Sequence, residues 1–132
     1  MGDLSKDFSK SEFACKCGCG ACDVKAHLIN KLQALRTYLN RPLVITSGVR
    51  CATHNKHEDG KSNSAHLKGL AVDIACTDSR FRYDLLEGAF ALKFTRIGVM
   101  EDAIHLDLSR VLPQRRTWLY PKKSKQEGGK KA

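Results

Sequence analysis

The sequence predicts a single α+β domain in which a small antiparallel sheet has helices packed on one side. The chain has 132 residues, 42% of them hydrophobic, which suits one packed core. Helix and strand patterns follow one another in the order α, β, β, α, β, β, and the last two strand patterns are joined by a tight turn. We place the domain at residues 1–120 and predict a basic disordered tail over residues 121–132.

The first helix is predicted over residues 24–39, where leucines recur every three or four residues and form one apolar stripe. These are Leu28, Leu32, Leu35 and Leu39. Asp23 is placed to cap the first turn, and Asn40 followed by Arg41-Pro42 predicts the end.

A second helix is predicted over about residues 80–93, after a cap at Asp78 or Ser79. We expect its larger apolar side chains to face the core. These are Phe81, Leu85, Leu86, Phe90 and Leu92.

Four short segments rich in aliphatic residues predict strands. They cover residues 43–47, 69–76, 96–100 and 103–109. A turn at Glu101-Asp102 makes the last two a hairpin. Residues 48–63 join the first two without a periodic pattern, and connections that long in a compact domain are usually functional or mobile.

Two of the predicted strands carry polar side chains on one face. Because side chains alternate along a strand, Asp73 lies opposite the aliphatic residues around it, as do His105 and Asp107. If the strands are neighbours, Asp73 and His105 share a face, and His66 lies in the loop just before. A buried carboxylate needs a partner, and three ligands with a vacant fourth position are typical of a catalytic zinc site.

Each of these residues also has an ordinary structural explanation. His66 alone would be a hydrogen-bonded loop histidine, and His105 alone a satisfied strand histidine. Asp73 alone would form a salt bridge with Arg50 or Lys68. Alternation links Asp73 with His105 but does not place His66 beside them, so the residues by themselves leave both interpretations open.

The net charge of +9 is concentrated near the end of the chain. Residues 110–132 carry a balance of +7, and residues 1–109 carry +2. The near-neutral domain argues against nucleic-acid binding through its face, and a solvated basic end is the favoured interpretation. We find no apolar run long enough for a membrane span and no secretory signal pattern, and we expect a monomer.

Six cysteines are many for this length, and four are crowded into CKCGCGAC. They are Cys15, Cys17, Cys19, Cys22, Cys51 and Cys76. The clustered spacing is not that of a zinc ribbon. A second zinc ion, one or two disulfides and reduced thiols all remain open, with a disulfide from the cluster to Cys51 slightly favoured.

Four segments in order resemble the zinc D-Ala-D-Ala carboxypeptidase and endolysin peptidase family, M15: ITSGVR, HN, SAHLKGLAVDI and IHLDL. The family's S-G-x-R matches residues 47–50, its S-x-H-x-x-G-x-A-x-D-I matches residues 64–74, and its late H-x-D matches residues 105–107. The resemblance extends over about residues 8–120 and is strongest to the small single-domain branch. It implies a hedgehog/DD-peptidase-like fold.

The resemblance implies that His66, Asp73 and His105 are the ligands of one catalytic Zn²⁺ ion. It places the catalytic base at Asp102, three residues before the last ligand. Glu101 is adjacent and remains an alternative base.

Further roles follow from the same resemblance. Arg50 would stabilise the oxyanion, and His54 and Ser64 would contact the substrate. Asp107 would orient a ligand, although a surface aspartate is an equally good interpretation of that position.

The implied function is a zinc-dependent peptidase acting on peptidoglycan stem peptides, at either a D-Ala-D-Ala or an L-Ala-D-Glu bond. Zinc lowers the pKa of bound water to about 7 and makes it the nucleophile. The expected location is synthesis in the cytoplasm with action at the cell wall, as in phage-type lytic enzymes. Two alternatives are a non-catalytic zinc module of the same fold that binds cell-wall peptides, and a nucleic-acid binder that uses the cysteines and the tail.

Overall fold

A computed structural model describes residues 2, 4–15, 23–51 and 64–120. The helices of this part are α1 (Lys10–Phe13), α2 (Ala26–Leu39), the 3-10 helix η1 (Ala65–Lys68) and α3 (Ser79–Ala91). The strands are β1 (Ile45–Ser47), β2 (Ala71–Ala75), β3 (Arg96–Val99), β4 (Ala103–Asp107) and β5 (Arg116–Leu119). Both long predicted helices and all four predicted strands are present, so the α+β class is confirmed. The predicted tail lies outside the described residues.

The five strands form one sheet in the order β1-β2-β4-β3-β5. Neighbouring strands are antiparallel except β3 and β5, which are parallel. The predicted hairpin is β3–β4, closed by the Met100 N–H donating to the Ala103 carbonyl at 2.9 Å. The sheet is mostly antiparallel, as predicted. The C-terminal segment, which was expected only to anchor through Trp118 and Tyr120, adds one parallel strand at the edge.

One face of the sheet and the two longer helices enclose the core. The sheet contributes aliphatic side chains that alternate along β2 and β4, and the helices contribute their apolar stripes. Fully buried members are Leu28, Leu32, Leu35, Val72, Ile74, Leu85, Ile104 and Leu106. Since alternation turns these residues to one side, the residues between them lie on the opposite face.

Helix α2 begins two residues later than predicted. Its N-cap residue is Lys25, and Asp23, the predicted cap, is exposed and forms an ion pair with Lys25 at 2.9 Å. The Lys25 N–H donates to the Gly69 carbonyl at 2.9 Å. This long-range contact, which local capping preferences do not encode, holds the chain in an extended conformation up to the helix start.

The cap predicted for α3 is confirmed, since the Asp78 carboxylate accepts the Phe81 N–H at 2.8 Å. Phe90, however, is 57% exposed rather than buried. The buried stripe runs through Gly88 and Ala89 instead. A Cβ at Gly88 would lie 2.8 Å from Leu35 Cδ1, so the close approach of α3 to α2 favours small residues at this point.

No helix within the described ranges has the length and apolar character needed to cross a bilayer.

Gly98 allows β5 to cover the polar face of the sheet. It lies opposite His105 of β4 and opposite Trp118 of β5. A Cβ at this position would be 2.5 Å from Tyr120 Cε2 and 2.7 Å from Trp118 Nε1. The two rings can therefore lie across β3 only because the strand has no side chain there.

We expect Gly98→Ala to lower the free energy of unfolding by about 1–3 kcal/mol, because the added methyl group overlaps the two rings. Urea denaturation monitored by far-ultraviolet circular dichroism measures the change, because this signal reports the backbone and can be compared between variants with and without Trp118. In a Trp118→Ala background the same substitution should cost less, since one overlapping ring is gone. An equal cost in both backgrounds would show that the indole is not the source of the strain.

Candidate metal centre

Asp73 and His105 form a directly opposed pair in the middle of the β2–β4 ladder. They are 6% and 4% exposed, and His105 Nδ1 lies 2.9 Å from Asp73 Oδ1. The prediction that these two residues share a face of neighbouring strands is confirmed.

His66 reaches the same carboxylate from η1. Ser64 caps this helix by accepting the His66 N–H on its hydroxyl at 3.2 Å. Gly69 ends it with a φ of +70°, and a Cβ there would lie 2.0 Å from the Asp23 carbonyl oxygen. This tight turn requires glycine, and it leads the chain directly from η1 into β2. His66 on η1 is thereby brought close to Asp73 on β2, with His66 Nε2 3.3 Å from Asp73 Oδ1.

The hydrogen bond on the other side of the His66 ring determines what Nε2 can do. Nδ1 lies 2.7 Å from the Gly48 carbonyl oxygen, which can only accept, so Nδ1 carries the proton. In the neutral ring, Nε2 then presents a lone pair. This atom is buried without a hydrogen-bond partner among the described residues, and it faces a carboxylate oxygen. A cation between the two acceptors would satisfy both.

His105 bridges two carboxylates. Nδ1 faces Asp73, and Nε2 lies 2.7 Å from Asp107 Oδ2. Burial by itself lowers the pKa of His105, but the hydrogen bonds to Asp107 and Asp73 outweigh burial and raise it. Burial by itself raises the pKa of Asp73, but His105 and His66 outweigh burial and hold it below its usual value. A metal ion would replace the Nδ1 proton, while Nε2–H would still donate to Asp107.

Asp107 is held in place on both of its oxygens. Oδ1 accepts from Arg96 Nε at 2.8 Å and from the Ser109 N–H at 3.2 Å, and Oδ2 accepts from His105. The residue is 1% exposed, so the interpretation of Asp107 as a surface aspartate is wrong. The sequence reasoning missed Arg96. The predicted hairpin could have identified this residue, because a turn at residues 101–102 places Arg96 directly opposite Asp107 on the neighbouring strand.

Arg50 lies at the other oxygen of the Asp73 carboxylate. Its guanidinium nitrogen Nη2 is 3.6 Å from Asp73 Oδ2, and Nε donates to Ser47 Oγ at 3.3 Å. Its main-chain N–H donates to the His66 carbonyl at 3.1 Å. The matched residues of S-G-x-R and of the His/Asp motif therefore meet at one carboxylate.

The model of the family Peptidase M15 matches residues 6–107 of this chain. The chain belongs to the peptidase M15 family. A comparison with curated proteins gave no match. M15 peptidases use zinc, and the buried His66, Asp73 and His105 could hold a metal ion, since their donor atoms lie within 4.8 Å of one another.

The acidic residues proposed as the M15 base lie outside this buried group. Glu101 and Asp102 are exposed in the turn between β3 and β4. The Asp102 carbonyl accepts the Cys76 N–H at 2.9 Å, which fixes the main chain of the turn next to the end of β2. Their assignment as base stays a prediction. Of the two predicted substrate contacts, Ser64 acts as a helix cap, and His54 lies outside the described residues.

An aromatic border beside His105 was not predicted as part of the site. The ring centroids of Trp118 and Tyr120 lie 5.5 and 6.2 Å from that of His105, and Arg96 Cζ lies 4.9 Å from the Trp118 ring. Burial raises the pKa of the Tyr120 hydroxyl, which therefore stays protonated at neutral pH and able to donate. Both residues follow the stretch matched by the M15 model.

Zinc binding to this group should raise the free energy of unfolding, by about 2.7 kcal/mol when zinc is present at 100 times its dissociation constant. Thermal denaturation with and without zinc measures the increment. His66→Ala should reduce it, whereas His27→Ala, at an exposed position on α2, should leave it unchanged. An undiminished increment in His66→Ala would remove this residue from the ligand set.

Asp107→Asn should weaken zinc binding about 10- to 100-fold, because an amide does not fix the His105 ring with Nε2 protonated and Nδ1 available to the ion. Competition with a chromophoric chelator measures the affinity. Asp23→Asn, at an exposed carboxylate, is the matched control. Equal affinities for the two variants would show that Asp107 does not act through His105.

Proposed function

We propose that this M15 family member is a zinc peptidase that cleaves an amide bond in peptidoglycan stem peptides. The observation that carries the proposal is the buried His66 Nε2 atom, which has no hydrogen-bond partner among the described residues and lies 3.3 Å from Asp73 Oδ1. Two facing acceptors favour a cation between them, and His105 Nδ1 lies 2.9 Å from the same oxygen. When bound, zinc would polarise the scissile carbonyl and make water a stronger nucleophile at neutral pH.

Asp73 divides its two oxygens between different partners. Oδ1 faces the two histidines, and Oδ2 faces Arg50 at 3.6 Å. The arginine side chain is mostly buried and permanently charged. We assign Arg50 to the stabilisation of negative charge that develops on the carbonyl oxygen of the substrate, where a preorganised cation in a partly desolvated site is most effective.

Asp102 is proposed as the base that takes a proton from the attacking water and delivers it to the leaving amine. It stands immediately before β4, the strand that carries His105, at a turn fixed to β2 through Cys76. Glu101 in the same turn is the alternative. Because both side chains are exposed, substrate binding would have to bring the reacting bond to the turn.

The substrate class rests on the family and on the charge of the site. A stem peptide carries carboxylates, which Arg50 and a divalent ion would attract. The bond is either D-Ala-D-Ala, which makes the protein a carboxypeptidase, or L-Ala-D-Glu, which makes it an endopeptidase. We infer that the protein acts as a monomer at the cell wall, as phage-type lytic enzymes do, and that the basic residues after position 109 assist binding to an anionic envelope.

Digestion of purified peptidoglycan, followed by mass spectrometry of the soluble products, tests the proposal. Released D-alanine identifies the carboxypeptidase, and peptides that begin with D-glutamate identify the endopeptidase. Asp102→Asn should lower kcat about 10²- to 10⁴-fold with zinc content unchanged, since general base catalysis contributes that much. Glu101→Gln compares the alternative base, and Asp84→Asn on α3 is the surface control.

The position of Asp102 outside the buried group also favours a second candidate, a non-catalytic zinc module that binds cell-wall peptides. That candidate predicts zinc-dependent binding to peptidoglycan and no released fragments. Full activity in both Asp102→Asn and Glu101→Gln would remove the turn from the mechanism. No hydrolysis by the zinc-loaded wild type would contradict the peptidase.

A further inference from the structure

One row of paired residues crosses the polar face of the sheet and passes through the candidate metal centre. Asp73 of β2 pairs with Ser47 of β1 on one side and with His105 of β4 on the other. His105 in turn is opposite Gly98 of β3. Gly98 is opposite Trp118 of β5. The row therefore begins at β1, contains two of the candidate ligands, and ends at the aromatic side chains of the β5 edge.

A hydrogen-bond donor stands near each end of this row. At the β1 end, Arg50 Nη2 lies 3.6 Å from Asp73 Oδ2. At the β5 end, Tyr120 follows Trp118 by two residues, so alternation turns both rings to the same face of the sheet. The centroid of the Tyr120 ring lies 6.2 Å from that of His105 and 6.1 Å from that of Trp118. The candidate ligands thus lie between a guanidinium and a phenol hydroxyl.

Trp118 determines what the Tyr120 hydroxyl can do. The two side chains are joined by a hydrogen bond, and because an indole N–H can only donate, the tyrosine oxygen is the acceptor. The proton of the hydroxyl itself takes no part in this bond and is available for another acceptor. The Tyr120 ring is held over Gly98, where a Cβ would lie 2.5 Å from Cε2, and its main-chain N–H donates to the Val99 carbonyl at 2.9 Å.

The Tyr120 side chain is both accessible and close to the charges of the site. It is 37% exposed, whereas His105 is 4% exposed, so a bound peptide can reach the tyrosine. Burial has the largest influence on the pKa of Tyr120, followed by the hydrogen bond from Trp118 and the charges of Asp73, Arg50 and Asp107. A hydroxyl influenced by both Arg50 and Asp73 lies in the same part of the site as the donor already assigned to the substrate oxygen.

We propose that Tyr120 is a further catalytic residue, whose hydroxyl donates a hydrogen bond to the carbonyl oxygen of the scissile amide from the side opposite Arg50. The inference rests on the proposed peptidase function and gives the developing oxyanion a second protein donor. Tyr120 keeps its proton, so no atom is transferred to or from it. Trp118 is a positioning residue, because it acts through the orientation of the Tyr120 hydroxyl.

Tyr120→Phe tests the proposal, because it removes the hydroxyl and keeps the ring that packs over Gly98. The substrates are muropeptides prepared from purified peptidoglycan with a muramidase, which are soluble and allow kcat and KM to be measured separately. We expect kcat to fall about 10²- to 10³-fold, as for loss of one oxyanion donor, with KM, zinc content and the thermal midpoint unchanged. Tyr83→Phe, at a tyrosine on α3 that is 69% exposed, is the matched control and should behave as the wild type.

A double-mutant cycle with Trp118→Phe separates positioning from packing. This substitution removes the indole N–H and keeps an aromatic ring, so it should lower kcat by less than Tyr120→Phe does. In the Tyr120→Phe background it should cause no further loss, because no hydroxyl remains to be oriented. Equal losses in the two backgrounds would show that Trp118 acts through packing and would overturn its assigned role.

The outcomes distinguish this inference from the proposed function on which it rests. Wild-type kcat in Tyr120→Phe, together with an active wild type, would overturn the inference and leave the peptidase standing. A raised KM with unchanged kcat would also overturn it, since the hydroxyl would then bind substrate and transition state equally. Loss of zinc or of the folded state in Tyr120→Phe would indicate a structural role instead. Absence of hydrolysis by the zinc-loaded wild type would overturn both proposals.

Discussion

The buried carboxylate of Asp73 is the constraint on which the rest of the site depends. It lies in the middle of a central strand, where an ionised group without partners would be strongly destabilising. Three side chains converge on it, and each comes from a different segment. His105 lies across the ladder, His66 comes from η1, and Arg50 comes from the connection after β1. Convergence of these segments on one carboxylate therefore couples folding of the domain to assembly of the site.

The two faces of the sheet carry opposite chemistry because side chains alternate. The aliphatic face packs on α2 and α3, which fixes the positions of β2 and β4 to within the tolerance of a close-packed core. The side chains on the polar face of the same two strands are therefore also held in well-defined positions. His105 is then oriented by Asp107, which is itself held by Arg96 from β3. A rigid apolar layer thus supports a chain of charged groups that ends at the candidate metal position.

Local patterns predicted the central part of this arrangement and missed its borders. Alternation alone paired Asp73 with His105, because both strands are short, regular and half apolar. His66 lies in a 3-10 turn without strand periodicity, so only the family resemblance placed it. Strand β5 escaped prediction because its side chains are mostly exposed and show no apolar alternation, and because its parallel pairing with β3 depends on contacts distant in sequence. The start of α2 was missed for the same reason, since a tertiary contact to Gly69 sets it.

The charge of the polar face bears on which substrates it suits. The described part of this face has two negative side chains, Asp73 and Asp107, and two positive ones, Arg50 and Arg96. Histidines that bind a metal ion are neutral, and the four charges then cancel, so a bound divalent ion would leave the site with an excess of two positive charges. In a site this poorly exposed to water, that excess acts at short range and is weakly screened. A substrate carboxylate, or the oxyanion that develops during amide cleavage, would offset one of these two charges. If the group binds zinc as proposed, the arrangement of these four charges would therefore favour an anionic substrate.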